Sequence, residues 1–109
     1  MSESTTKNVL TSQLLADDPD MRDLVEEFVG GLTTRVSELR DAFARHDWDL
    51  LRTLAHRLKG AGGSYGYPDL SHLGATMEDQ FKKQQAEQFA DWVRQLDSLA
   101  AAARAGLDQ

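Results

Sequence analysis

The chain has 109 residues, 12 Lys and Arg against 18 Asp and Glu, a formal charge of −6 at pH 7, and no cysteine. Its length fits one domain, and its acidity argues against a nucleic-acid binder that works by neutralising phosphates. The missing thiols exclude cysteine catalysis, disulfides and cysteine-ligated zinc. With 40% hydrophobic residues a single apolar core can form, but no apolar run is long enough to span a membrane. Met1–Lys7 has neither the basic flank nor the apolar stretch of a signal peptide, so a cytoplasmic location is expected.

Residues 1–8 are expected to be disordered, and a helical domain is expected over 9–109. Val9, Leu10, Leu14 and Leu15 predict a short helix or apolar arm folded onto that domain. Asp18-Pro19-Asp20 reads as N-cap, first helical position and first-turn acid. From there Met21, Leu24, Val25, Phe28, Val29, Leu32, Val36, Leu39 and Phe43 recur in steps of three and four, predicting one long amphipathic helix. Gly30-Gly31 inside it allows a local bend. Asp47 is the expected N-cap of a second helix, with Trp48, Leu51, Leu54, Ala55, Leu58 and Ala61 on its core stripe. A third helix carries Leu70, Leu73, Met77 and Phe81, and a fourth carries Phe89, Trp92, Val93, Leu96, Leu99, Ala100 and Ala103. Gly106 is the expected C-terminal stop. No segment alternates with period two, and the connections are short. The expected fold is all-α, an antiparallel up-down four-helix bundle with a short N-terminal helix or arm.

The second helix runs into Gly60-Ala61-Gly62-Gly63-Ser64-Tyr65-Gly66. On a helical wheel with Leu51 at zero, His56 falls about 140° away, Gly63 about 120° and Gly60 about 180°. Arg52 lies at about 100° and Lys59 at about 80°, so His56 sits off the core stripe among glycines and basic residues. Three glycines cost about 3 kcal/mol in helix propensity, against a total stability of about 5–15 kcal/mol. A local rule broken at that cost points to close backbone approach or a functional face. The plainer alternative is that the glycines end the helix and let the next one pack tightly. A phosphate-binding loop does not fit: position 65 is Tyr, no strand precedes the segment, and Lys59 comes before the glycines.

Ala55-His56-Arg57-Leu58-Lys59-Gly60-Ala61-Gly62-Gly63-Ser64-Tyr65-Gly66 resembles the phosphoacceptor motif of histidine-containing phosphotransfer (HPt) domains, which read His-x-Leu-Lys-Gly followed by small residues and a further glycine. The likeness extends from about Asp17 to the end of the fourth helix. It implies that His56 takes a phosphoryl group on Nε2, with Nδ1–H turned towards a protein group that fixes the tautomer. It also implies that Lys59 stands beside the phosphoryl oxygens and that Gly60 leaves room for the partner. In several members a Glu or Gln on the next helix bonds the acceptor imidazole; Glu78 stands at the matching spacing, with Gln80 a weaker substitute.

Arg52, Arg57 and Lys59 make a positive island, although Arg57 at about 240° points away from His56. The partner-binding surface is expected at Arg52, Gly60 and Gly63. The expected partners are a response-regulator receiver domain, a histidine kinase or both, with the protein monomeric and no nucleic acid or membrane involved. Neither cofactor nor metal is expected. His46 reads as a turn residue, and Asp69 with His72 is half of a carboxylate–histidine pair with no second copy. The expectation is a non-enzymatic phosphoryl carrier in a two-component phosphorelay. Two alternatives stand beside it: the phosphoacceptor domain of a larger hybrid or chemotaxis-type kinase, and a helical adaptor that is never phosphorylated.

Overall fold

A computed structural model describes residues 9–108, and the segment 1–8, expected to be disordered, lies outside the described residues. Among them the fold is all helical, with no strand. The elements are α1 (Gln13–Asp17), a short 3-10 turn at Pro19–Met21, α2 (Arg22–Gly30), α3 (Leu32–Ala44), α4 (Trp48–Ser64), α5 (Pro68–Lys82) and α6 (Phe89–Leu107). Together α2 and α3 form one broken rod that packs against α4 and α6, while α5 closes the ring between those two. The result is a four-helix bundle with α1 as an N-terminal addition.

Four sequence expectations are corrected. The first long helix is divided at Gly31, a turn residue between α2 and α3 that still bonds Glu27 O and Arg35 N–H. Its start is also later than expected, because Asp18 caps Asp20 N–H across a 3-10 turn and regular helix begins only at Arg22. Leu24 and Phe43, expected on the core stripe, are exposed, and Ala42 is buried instead. Phe43 still covers apolar surface, its ring stacked 4.0 Å from that of Phe89. Finally, Gly106 does not stop α6, which runs on to Leu107. A side chain at Gly106 would strike the Leu10 carbonyl, so this glycine admits the N-terminal arm.

The core contains Val25, Phe28, Val29, Leu32, Leu51, Leu58, Leu70, Met77, Phe81, Trp92 and Leu96, drawn from α2–α6. Asp47 caps α4 by accepting from Leu50 N–H at 3.1 Å. At the other end α4 stops at Gly66, whose φ of +83° is open to glycine at no steric cost. Gly66 N–H bonds Gly63 O at 3.2 Å and Tyr67 N–H bonds Gly62 O at 2.8 Å, the paired bonds of a Schellman ending.

Candidate functional site

The closest helix pair in the bundle is α4 against α5, and two glycines set its spacing. A β-carbon on Gly62 would lie 2.7 Å from Ser71 N, and one on Gly74 would lie 2.6 Å from Lys59 N. Both contacts are to backbone, which cannot yield as a flexible side chain can. The plain packing explanation for the glycine run therefore holds for Gly62. It does not hold for Gly60, where a β-carbon would meet nothing within 4 Å. Gly63 is intermediate: its β-carbon would touch Ser71 Oγ at 3.7 Å, an ordinary contact.

That spacing brings residues of α4 and α5 together. His56 projects outward from α4 with its side chain 67% exposed. On α5, Gly74, Glu78 and Lys82 follow at four-residue steps along one line facing α4. Glu78 is only 8% exposed, one of two buried polar residues among those described, the other being Ser12. Its Oε2 lies 2.9 Å from His56 Nδ1, and its Oε1 lies 3.4 Å from Lys59 Nζ. Lys82 Nζ approaches Oε2 at 3.9 Å. One recessed carboxylate is thus shared by an imidazole and two ammonium groups.

Burial alone would push the Glu78 carboxyl up. The hydrogen bonds from His56 and Lys59, with the positive charge of both groups, outweigh burial and hold it below the usual carboxylate range. An ionised carboxylate only accepts. The shared proton therefore sits on Nδ1, and in the neutral ring the lone pair is on Nε2, at the exposed edge. Geometrically the arrangement is an outward-facing imidazole oriented by a recessed carboxylate, with a lysine beside it and a side-chain-free surface at Gly60 one turn on.

The remaining sequence candidates fall outside this cluster. Arg52 is exposed on the same helix and pairs with Asp49 at 3.6 Å. Arg57 lies on the other flank of α4, in a groove with Phe28, Arg35 and Tyr65. Glu78, rather than Gln80, meets the imidazole. His72 lines an open groove between α5 and α6 with Asp69 and Asp91. Among the described residues no group of three or more His, Asp or Glu is arranged to hold a metal, and no helix is long and apolar enough to cross a membrane.

Two residues of the site escaped sequence reasoning. Gly74 carried a visible signal, a glycine in mid-helix one turn before Glu78. Lys82 had only its four-residue spacing from Glu78, which many surface lysines share.

No curated protein and no solved structure matches the chain significantly. The family model for the Hpt domain matches residues 23–106, from α2 almost to the end of α6. Hpt domains are phosphocarrier modules that work with receiver and kinase domains in two-component signalling. Matched over most of its length, and folded as a helical bundle with an exposed histidine on its second long rod, the chain belongs to the Hpt-domain family.

Proposed function

We propose that His56 is the phosphoacceptor and that the protein relays phosphoryl groups to or from the aspartate of a receiver domain. The observation that carries the reading is the exposed imidazole whose inner nitrogen is tied to recessed, ionised Glu78. In the forward step the Nε2 lone pair attacks phosphorus in the receiver's aspartyl phosphate. The N–P bond forms as the P–O bond breaks, and the departing electron pair stays on the aspartate carboxylate. The ring gains positive charge as this happens, and the Nδ1–H bond to Glu78 stabilises it. Lys59 can turn from Glu78 to the phosphoryl oxygens. Gly60 and Gly63 with Arg52 form the face that the partner approaches. Transfer needs in-line positioning and charge stabilisation, and the receiver brings the metal ion, so the protein acts as a carrier rather than an enzyme.

Incubation with a phosphorylated receiver tests this directly. The wild type should acquire an acid-labile, alkali-stable phosphoryl group, and His56→Gln should acquire none. Label retained on His56→Gln would overturn the assignment.

A further inference from the structure

The second half of α4 is poorly suited to be helical. Gly60, Gly62 and Gly63 together cost about 3 kcal/mol relative to alanine, and the last turn of a helix is where fraying begins. Yet the helix stays regular to Ser64. The N-terminal arm is fastened at that end. Ser12 Oγ donates to Tyr65 O at 2.6 Å, and Gln13 N–H donates to Gly66 O at 2.9 Å. These carbonyls belong to the two residues that terminate α4. The Ser12 hydroxyl also accepts from Leu15 N–H as the N-cap of α1, so one buried group ties the start of α1 to the end of α4. On the far side Leu10 N–H donates to Ala102 O of α6 at 2.9 Å.

Two glycines make room for this seat. At Gly66 a β-carbon would lie 2.7 Å from Gln13 N, and at Gly106 one would strike the Leu10 carbonyl. Both openings are filled by arm backbone. The arm also precedes the residues matched by the family model.

We propose that residues 9–13 are a strap that keeps the glycine-weakened end of α4 helical, and thereby holds the turn carrying Lys59 and Gly60 in place for His56. The bearing on His56 rests on the function proposed above; the structural part does not. Fraying of α4 from Ser64 backwards reaches Gly60 first and then Lys59. The strap opposes it where the helix's own propensity is lowest. Tyr65, stacked 4.7 Å from Phe28, and Gly62 against α5 hold the same end from other sides. Loss of the strap should therefore loosen α4 locally and leave the bundle folded.

Amide hydrogen exchange on the unphosphorylated protein tests this. The chain would be compared with one starting at Val9, one starting at Asp18, and Ser12→Ala. The amides of Ser64, Tyr65, Gly66 and Tyr67 should lose protection by about tenfold or more in the chain starting at Asp18. The loss should be smaller in Ser12→Ala and absent in the chain starting at Val9. Amides from Leu51 to Leu58 should keep their protection throughout. Phosphoryl transfer from a receiver should slow in the same order. Unchanged protection at the four amides in both the chain starting at Asp18 and Ser12→Ala would overturn the strap. If the chain starting at Asp18 unfolds entirely, Ser12→Ala decides: loss confined to those amides supports the proposal, and no loss rejects it. Exchange is read without any phosphoryl chemistry, so its failure is separate from failure of the His56 assignment, which the His56→Gln labelling decides.

Discussion

Glu78 Oε2 and His56 Nδ1, twenty-two residues apart in sequence, meet at 2.9 Å across the contact between α5 and α4. The bond fixes which ring nitrogen faces outward. It also places a negative charge on the buried side of the ring, away from the exposed nitrogen proposed to take the phosphoryl group.

Removing that carboxylate should slow transfer without unfolding the domain. Glu78→Ala deletes a charge-assisted hydrogen bond worth about 1.5–3 kcal/mol, equivalent to a rate loss of about tenfold to a hundredfold. Glu78→Gln keeps an acceptor oxygen and should lose less. Initial rates of label transfer from a phosphorylated receiver, with helicity followed by circular dichroism, check this. Wild-type rates in Glu78→Ala would show that the bond has no part in transfer.

The same carboxylate predicts a dependence of stability on acid. Its pKa is lower in the native protein than in the unfolded chain, so on acidification the unfolded chain takes up the proton first. The contribution of Glu78 is complete above the ordinary glutamate value of 4.5. It declines as pH falls below that value and is gone once the native carboxyl is protonated. Urea midpoints of wild type and Glu78→Gln should therefore converge as pH is lowered from about 6 to about 3. A constant gap across that range would rule out Glu78 as the titrating group.

Gly60 and Gly74 should respond to alanine in opposite directions. A methyl group on Gly60 meets nothing, so Gly60→Ala should stabilise the domain by about 1 kcal/mol through helix propensity. It should also slow transfer, because the methyl stands on the face proposed for the receiver's approach. Gly74→Ala drives a methyl into the backbone of Lys59 and should cost about 1–3 kcal/mol. Chemical denaturation of both variants, with transfer rates for Gly60→Ala, distinguishes the two roles.

Two helices end on residues that are costly there. His46 and Gln84 have φ of 55° and 54°, following α3 and α5. Asp47 N–H bonds Ala42 O and Gln85 N–H bonds Gln80 O, so both ends repeat the geometry that Gly66 supplies after α4. His46→Gly and Gln84→Gly should each raise stability by about 0.5–1 kcal/mol. Thermal unfolding checks this, and a lower midpoint in both would contradict the stated backbone cost.

Helical periodicity alone located the rods, because three- and four-residue spacing of apolar side chains is a local property. It also set His56 and Lys59 off the core stripe, since both lie on one helix. The burial of Glu78 was not legible. It depends on how closely α5 approaches α4, and that distance is set by Gly62 and Gly74, whose contacts lie on the opposite helix. Gly106 was misread for the same reason: a glycine near a helix end has the composition of a stop, and only the path of the arm marks it as a seat. Leu24 stands about 100° round the helix from Val25, at the margin of the buried stripe, where spacing in threes and fours does not settle burial.

Main chain against main chain is a firm joint between helices, and at Gly74, set against Lys59 and Ala55, it lies within a turn of His56. The imidazole hangs from one rod and is steered by a carboxylate on the other, so any sliding between them would swing Nε2 to a new direction. With Gly62 and Gly74 seated on backbone, there are no intervening rotamers to relax. The direction of the outer ring nitrogen is therefore inherited from the polypeptide framework itself, so on the proposed reading the ring would meet a receiver already aimed.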